Sequence, residues 1–252
     1  MPQAERFGRI LEHLAGNGSV SVAEIASDLN VSAATIRRDL RVLESQRLLA
    51  RTHGGAVAQG VLYELPLRYK SARYQQEKVR IAREAGSRVD DGMAVGLTGG
   101  TTTTEVARTI AGRQRLTVVT NALNIASELA IRPNLKLVVT GGVARSKSYE
   151  LVGPLAEQSL AGLNLDVVFI GVDGIEPREG LTTHHEIEAH TNRALIERAR
   201  RVIVVADSSK IGRVAFARIC ALERVHEMIT DSAADPTIVA RVAEVGIDVS
   251  SV

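Results

Sequence analysis

The sequence predicts an α/β protein of two domains, on two observations. Between Gln3 and Gln46, apolar residues recur at helical spacing in three successive segments, which is typical of a small helical domain. From Glu77 onward, short and nearly continuous apolar runs alternate with helical stretches, which indicates a doubly wound, mostly parallel sheet covered on both faces. We therefore expect a helix-turn-helix domain over 1–58, a linker over 59–76 and an α/β domain over 77–252.

The stretch from Val20 to Asp39 predicts two short helices joined by a tight turn, after a first helix over 3–15. Ser21 is an N-cap candidate with Glu24 three residues later, which is the spacing of a capping box. Asn30 tolerates the left-handed backbone of a sharp helix exit. Ser32 is the next N-cap candidate, and we expect the helix that follows it to run from Ala33 to Gln46.

This last helix carries the side chains that predict DNA contact. Ile36, Leu40 and Leu43 form its buried stripe, which leaves hydroxyl and guanidinium groups exposed near its N-terminal half, as a major-groove helix requires. The Gly54-Gly55 pair that follows fits the tip of a hairpin, so the domain is expected to be a winged helix. The predicted DNA-binding residues are Ser32, Thr35, Arg37, Arg38 and, on the wing, His53. For Arg37 and Asp39 a surface or intradomain salt bridge is the alternative.

The second domain is expected to consist of strands and helices in alternation. The predicted strands are 93–97, 116–120, 135–140, 166–172, 202–206, 227–230 and 245–249. The predicted helices are 77–89, 103–110, 122–130, 154–161 and 186–199.

Polar residues and glycines cluster where the predicted strands end, and ligands of open α/β sheets bind beyond the carboxyl ends of the strands. After the first strand, two glycines that allow close backbone approach precede four threonines and a helix N-terminus, which predicts an anion site for phosphate. The predicted effector-binding residues are Thr98, Gly99, Gly100, Thr101, Thr102, Thr103, Asn121, Gly141, Gly142, Arg145, Asp173, Glu188 and Lys210. The alternative is that these are only turn residues at strand exits.

Two other functions have to be weighed against effector binding, namely a metal site and the active site of an enzyme. The histidines and glutamates between His184 and His190 lack the HExxH pattern and partnering cysteines, so we predict no metal site and no cofactor. Asp173, Glu188 and Lys210 are also the acid/base groups that a sugar-phosphate enzyme would need, and spacing does not separate the two roles. The helix-turn-helix favours binding, so we expect no catalytic residues and no enzyme.

Composition limits the possible partners. Lys and Arg number 31 against 29 Asp and Glu, a net charge of +2, which disfavours a nonspecific nucleoid-type binder. The single cysteine, Cys220, excludes an intramolecular disulfide and is expected to be a buried, inert thiol in a reducing cytosol. No secretory pattern and no apolar run near the ~18–20 residues of a membrane span occurs, so we expect a cytoplasmic protein without a membrane partner.

Taken together, these stretches resemble the DeoR family of bacterial transcriptional regulators over nearly the full length of the chain. The resemblance is carried by TIRRDL (35–40), HGGA (53–56), GGTTT (99–103), VGPLAE (152–157), FIGVDGI (169–175), GLTT (180–183), ADSSK (206–210) and ITD (229–231). It implies a winged-helix repressor of carbohydrate catabolism genes that binds double-stranded operator DNA, with a C-terminal domain similar to the sugar-phosphate isomerase fold. It also implies a phosphorylated sugar as the inducer and a homodimer or homotetramer. The runner-up is a sugar-phosphate isomerase with a DNA-binding module.

The chain departs from the family pattern at one position. Many members of the family have an aspartate before the GTT loop, where Thr98 stands here. The loop itself is intact, so we expect phosphate binding to survive the change.

Overall fold

A computed structural model of the chain describes residues 1–58, 64–71 and 73–252. The chain forms two compact units, Met1–Arg73 and Tyr74–Val252. Residues 59–63 and 72 of the predicted linker lie outside the described residues. Elsewhere in the predicted linker, Leu67–Lys70 is helical, and Tyr69 is buried in the core of the first unit, with its ring 5.8 Å from that of Phe7.

The first unit is a helical domain with a small antiparallel sheet. Its elements are α1 (Gln3–Asn17), β1 (Ser19–Ser21), α2 (Val22–Asp28), α3 (Ala33–Ser45), β2 (Leu49–Arg51), β3 (Gly55–Ala58) and α4 (Leu67–Lys70). The sheet order is β1-β3-β2, so β2 and β3 form the predicted wing, while β1 is a strand that the sequence did not predict. Three residues are too few for a period to show, and β1 exists because it pairs with β3.

Local capping explains where these helices begin and end. Ser32 Oγ accepts a hydrogen bond from the Thr35 N–H at 3.2 Å, which confirms the N-cap of α3. Ser21 Oγ accepts a hydrogen bond from the Ala23 N–H at 3.2 Å, which confirms the predicted N-cap of α2 and places Glu24 at its third residue. The turn between α2 and α3 places Asn30 at φ 50°, the left-handed backbone that was predicted.

The second unit consists of a large parallel sheet with helices and short antiparallel strands around it. Its strands are β4 (Ala94–Leu97), β5 (Leu116–Thr120), β6 (Leu135–Val139), β7 (Val143–Ala144), β8 (Leu151–Val152), β9 (Leu165–Ile170), β10 (Gly174–Glu176), β11 (Gly180–Thr183), β12 (Ala199–Val205), β13 (Ala217–Cys220), β14 (Glu227–Thr230) and β15 (Asp248–Ser251). Its helices are α5 (Gln75–Gly86), α6 (Thr101–Ile110), α7 (Leu123–Leu129), α8 (Pro154–Leu160), α9 (Glu186–Glu197) and α10 (Pro236–Ala243).

The sheet is parallel at every pairing of its seven strands, in the order β15-β14-β12-β9-β4-β5-β6. Successive residues of β9 face opposite sides: Val168 and Ile170 lie in one apolar core, and Val167 and Phe169 lie in the other. Both faces are therefore covered, as the continuous apolar run predicted. The two-domain α/β class predicted from the sequence is confirmed.

Several elements differ from the prediction. Residues 245–249 were expected to be a strand, but β15 begins only at Asp248, since α10, capped by Asp235, and the turn at Gly246 precede it. The paired strands β7-β8 and the antiparallel sheet β10-β11-β13 were not predicted, because strands of two to four residues carry no recognisable period. Among the described residues, no helix has the length and apolar character needed to cross a membrane.

The strand order changes direction at one place, between β4 and β9. The chain runs from β4 outward through β5 to β6 on one side, while β9, β12, β14 and β15 lie on the other. This is the switch point of the sheet, and ligands of open α/β sheets bind in the crevice at such a point. The predicted phosphate loop follows β4, so it lies at this crevice.

Candidate DNA-binding helix and effector site

Helix α3 buries its apolar stripe and exposes its basic residues. Ile36, Leu40 and Leu43 are at most 1% exposed, while Arg37 and Arg38 are exposed. Ser32 is exposed and Thr35 is partly exposed, and their hydroxyl groups lie 2.9 Å apart, so both take part in the cap of the helix. The helix thus offers three guanidinium groups at its surface, those of Arg37, Arg38 and Arg41, as the sequence predicted.

Asp39, between these arginines and the core, belongs to an intradomain ion pair. Arg6 of α1 donates from Nε to Oδ2 at 2.6 Å and from Nη2 to Oδ1 at 3.0 Å. Asp39 is 1% exposed, so this bidentate pair ties α1 to α3 inside the unit. The hydrogen bond with Asp39 raises the pKa of the Arg6 guanidinium above its ordinary value.

The wing is fixed against the helices by backbone contacts. His53 is exposed in the turn between β2 and β3. Gly54 accepts a hydrogen bond from the N–H of Val22 at 2.9 Å, and Gly55 lies so close to β1 that a Cβ there would stand 1.8 Å from the Val20 oxygen. Arg51 Nε lies 2.7 Å from Glu44 of α3, which joins the wing to this helix, and the hydrogen bond lowers the pKa of Glu44.

The loop that follows β4 is shaped by its glycines and threonines. Gly100 has φ 131°, a backbone that L side chains rarely adopt, and its oxygen accepts hydrogen bonds from Thr103 at 3.1 Å and Thr104 at 2.6 Å. The first α-helical hydrogen bond joins the Thr104 N–H to Gly100, so the earlier N–H groups of the loop have no partner within the helix. The helix begins at Thr101, two residues before the predicted start.

The side chain of Thr98 makes hydrogen bonds within the protein. It is fully buried, its hydroxyl accepts a hydrogen bond from the Gly171 N–H at 3.0 Å, and it donates to the Gly99 oxygen at 3.2 Å. It therefore links the loop after β4 to the loop after β9. That Thr98 contacts an effector stays a prediction.

Glu150, which no sequence pattern indicated, contacts two of the predicted effector-binding residues. Its Oε1 accepts hydrogen bonds from the Gly99 N–H at 3.1 Å and from Asn121 Nδ2 at 3.3 Å. Glu150 is 4% exposed, and burial, followed by the negative charge of Glu188, raises the pKa of its carboxyl group well above the usual range. The only signal in the sequence is an acidic residue directly before the apolar pair of β8, which is too common to indicate a site.

A second cluster surrounds Glu188 on α9. Its carboxylate pairs with Arg145 and accepts a hydrogen bond from Ser148. Thr183 Oγ1 lies 3.3 Å from Glu188 and 3.2 Å from Asp173, so its single O–H is within donating distance of both carboxylates.

Asp173 in turn faces two further basic side chains. Lys210 Nζ lies 3.5 Å and His184 Nε2 lies 3.8 Å from Asp173 Oδ1. The fold therefore brings together four residues that the sequence predicted separately, namely Arg145, Asp173, Glu188 and Lys210.

The remaining predicted positions shape the site through the backbone. Gly142 has φ 129°, and a Cβ there would stand 2.8 Å from the Val152 oxygen, so only glycine allows β7 and β8 to pack at this point. The neighbouring Gly141 is exposed. Asn121 is fully buried, and its Oδ1 has no hydrogen-bond partner among the described residues.

The histidines between 184 and 190 do not gather around a common point that could hold a metal ion. His185 Nδ1 accepts a hydrogen bond from the Ile187 N–H at the start of α9, and His190 is exposed. Within the described ranges, no group of three or more His, Cys, Asp or Glu side chains is placed to hold a metal ion. Cys220 is free and buried, and burial raises the pKa of its thiol to about 11, so the predicted buried thiol is confirmed.

Comparison with known protein families gives one match in each of the two units. Residues 6–60 match the model of the DeoR-like helix-turn-helix domain, and residues 73–232 match that of the DeoR C terminal sensor domain. The chain is 37% identical over 250 residues to the HTH-type transcriptional regulator GlpR of Haloferax volcanii, covering 99% of this chain and 98% of the relative. It is 33% identical over 232 residues to the glycerol-3-phosphate regulon repressor of Escherichia coli K12, covering 92% of each.

Among solved structures, ribose 5-phosphate isomerase A of Methanocaldococcus jannaschii aligns over 54% of each chain, with 21% identity and a TM-score of 0.41. The family assignment rests instead on the two domain models, which together span both units, and on the full-length relatives. The chain belongs to the DeoR family, and it is a helix-turn-helix transcriptional regulator with a sensor domain.

Proposed function

We propose that the protein is a repressor of carbohydrate catabolism genes whose operator binding is relieved by a phosphorylated sugar, and that it is not an enzyme. The observation that carries the proposal is the crevice beyond β4 and β9. There the start of α6, whose first N–H groups have no partner within the helix, follows the loop after β4, and Asp173, in the cluster with Glu188 and Lys210, follows β9. The side chain of Asn121, which has an unpartnered Oδ1 among the described residues, donates to the same Glu150 oxygen as the Gly99 N–H.

The two parts of this crevice suit the two parts of such an effector. Backbone N–H groups at a helix N-terminus bind phosphate, because they donate hydrogen bonds and the helix dipole favours a negative charge. Carboxylates and a buried amide oxygen accept hydrogen bonds from hydroxyl groups. The name of the glycerol-3-phosphate regulon repressor supports a phosphorylated carbon compound as the class of ligand.

We expect phosphorylated sugars, and not their dephosphorylated forms, to stabilise the purified protein against heat. A ligand at 100 times its dissociation constant stabilises the folded state by about 2.7 kcal/mol, which a thermal-shift assay resolves. The panel should include glycerol 3-phosphate, glucose 6-phosphate and ribose 5-phosphate, each with its parent alcohol or sugar. A shift with the parent compounds alone would contradict the phosphate site.

The same panel tests the competing isomerase function, which the acid/base pattern of Asp173, Glu188 and Lys210 keeps open. Turnover of any of these phosphates by the purified protein would favour the enzyme. In the structure both Glu188 and Asp173 have basic partners, an arrangement that supports binding.

At the DNA-binding helix, we expect Arg38→Ala to weaken operator affinity and to flatten its dependence on salt. Loss of one phosphate contact lowers the slope of log affinity against log salt by about 1. Arg38 is exposed and α3 keeps its buried stripe in the variant, so the fold is preserved. Arg132→Ala, an exposed arginine of the sensor unit, is the matched control. An unchanged salt slope would show that Arg38 does not contact the DNA backbone.

A dimer or tetramer completes the proposal. A dimer with two helix-turn-helix units would favour an operator with inverted repeats, because each half-site then meets the same surface. Release by effector requires that the effector bind more tightly to the form that cannot hold DNA, since equal affinity shifts nothing.

A further inference from the structure

Helix α4 lies between the two family matches, and its contacts place it in the first unit. The matched residues end at 60 and begin again at 73, so Leu67–Lys70 falls in neither domain model. A helix of four residues is not stable on its own, because its first turn fixes several backbone angles for a single hydrogen bond. The existence of α4 therefore depends on what it packs against.

The first surface that holds α4 is helix α1. Tyr69 is 5% exposed, and its ring meets that of Phe7 edge-on, with 5.8 Å between the centroids. A Cβ at Gly8 would stand 2.8 Å from the backbone oxygen of Tyr69, so glycine at this position of α1 permits the close approach. Just after α4, Arg73 pairs with Glu12 of α1. Burial, a close backbone contact and an ion pair thus dock α4 on α1.

The second surface is the end of the DNA-binding helix. The Tyr69 hydroxyl donates a hydrogen bond to Oε1 of Gln46, the residue that follows the last turn of α3. Arg68 donates to the same oxygen at 3.0 Å, and its guanidinium carbon lies 4.9 Å from the centre of the Tyr69 ring. Helix α3 is therefore held at its N-terminus by the Ser32 cap and at its C-terminus by α4.

The chain leads directly from α4 to the helices that support the proposed phosphate site. Residues 71–74 join α4 to α5. Helix α5 packs on α6, because Ile81 shares an apolar core with Val106 and because Gln75 Nε2 donates a hydrogen bond to Glu105 Oε1 at 2.9 Å. Helix α6 begins at the glycine-threonine loop. A change at this loop is therefore connected to α4 through α6, α5 and a short covalent link.

We propose that α4 is the switch of this regulator. Docked on α1 and on Gln46, it holds the form that binds operator DNA, and an effector at the start of α6 favours the form in which α4 is released. Because α4 is helical only through its docking, the docked and released forms are two distinct states, as a switch requires. The inference rests on the proposed function and adds to it the segment that couples effector binding to DNA binding.

The docking of α4 and the two binding equilibria are linked. If operator DNA binds only the docked form and the effector only the released form, weaker docking lowers operator affinity and raises effector affinity. The product of the two fold changes equals the factor by which docking is weakened. The effector-free form of a repressor binds DNA, so the docked form prevails in it, and the larger change should be in effector affinity. A merely structural contact of Tyr69 would leave effector affinity unchanged, since the phosphate loop belongs to the other unit.

The first test compares Tyr69→Phe with the wild type, both as full chains. The variant keeps the buried ring and loses the hydroxyl that bonds Gln46, so docking should weaken by about 2- to 12-fold, the effect of one hydrogen bond. Calorimetric titration with glycerol 3-phosphate, glucose 6-phosphate and ribose 5-phosphate should show tighter binding by the variant. Fluorescence anisotropy with operator DNA should show the remaining, smaller loss.

Hydrogen exchange observes the switch without a substitution. The N–H groups of Tyr69 and Ser71 donate to Pro66 and Leu67 in the docked helix, so they are protected while it is formed. Their exchange in the wild type should become faster when the sugar phosphate that binds in the titrations is added.

A second variant removes the same contact from the side of α3. Gln46→Ala takes away the acceptor of Tyr69 and Arg68, and it should raise sugar-phosphate affinity as Tyr69→Phe does. Gln3→Ala, an exposed glutamine of α1, is the matched control and should change neither affinity.

The outcomes separate the switch from the proposed function. Wild-type sugar-phosphate affinity in both variants, or equal exchange of the α4 amides with and without the bound compound, would overturn the role of α4 and leave the proposed function standing. If none of the three phosphates binds the wild type, the phosphate site of the proposed function is overturned together with the switch that rests on it.

Discussion

Gly99→Ala is expected to remove the response to the effector while leaving operator binding in place. A Cβ at this position would stand 2.4 Å from Glu150 Cγ and 2.6 Å from its Cδ. Glu150 is 4% exposed, so the side chain cannot swing into solvent to make room. The overpacking must displace either Glu150 or the loop that precedes α6.

The expected size of this effect follows from the cost of overpacking, which is about 1–3 kcal/mol. If the loop regains its binding form only at that cost, effector affinity falls by about 5- to 140-fold, since each factor of ten corresponds to about 1.4 kcal/mol. Titration with a phosphorylated compound from the panel measures the loss, and fluorescence anisotropy with operator DNA measures what remains.

Gly162→Ala is the matched control, because a Cβ at Gly162 meets no atom within 4 Å. It should leave both affinities unchanged. Wild-type effector affinity in Gly99→Ala would mean that Glu150 moves freely and that the contact has no role in the site.

Asp39→Ala should destabilise the first unit by about 3–5 kcal/mol, the cost of leaving one partner of a buried ion pair alone. Arg6 would keep its charge, with only 12% of its side chain exposed, and would lose both hydrogen bonds to the carboxylate. Small domains are stable by only about 5–15 kcal/mol, so this loss threatens the folding of the unit and with it operator binding.

Hydrogen exchange of the α1 and α3 amides in the full chain measures this effect, because a chain with two units does not unfold in one step. Glu24→Ala, an exposed carboxylate on α2, is the control and should change stability by no more than about 0.5 kcal/mol. Replacing both partners, as in Arg6→Met with Asp39→Leu, should recover much of the loss. Equal exchange rates in Asp39→Ala and Glu24→Ala would show that the pair is not stabilising.

The helical part of the first unit could be predicted because its determinants are local. The stripe of Ile36, Leu40 and Leu43, the Ser32 cap and the left-handed Asn30 each act within a few residues of the backbone that they shape. Asp39 shows the limit of this reasoning. Its spacing permits either a surface or an internal ion pair, and only the packing of α1 on α3 brings Arg6, 33 residues away, to it.

The candidate effector site also has local features that could be predicted and contacts between distant residues that could not. The glycines and threonines after β4 predicted an anion loop because strand, loop and helix N-terminus are consecutive in the chain. Glu150 was missed because it meets Gly99 across 51 residues, and the hydrogen bond between Thr98 and Gly171, 73 residues away, was not predicted either. Neither contact leaves a periodic trace in the sequence.

The sequence by itself determined the class of each domain, the helix α3 with its exposed arginines, the hairpin after it and the glycine-threonine loop after β4. These depend on hydrophobic period, capping and glycine positions, which are properties of neighbouring residues. The family was predicted from the resemblance of short motifs along the chain. The tertiary structure alone decided the order of the parallel strands, and therefore which strand ends meet at the crevice. It also placed Glu150 beside Gly99 and Glu188, because the energies that select those contacts are burial, charge and hydrogen bonding between segments far apart in the chain.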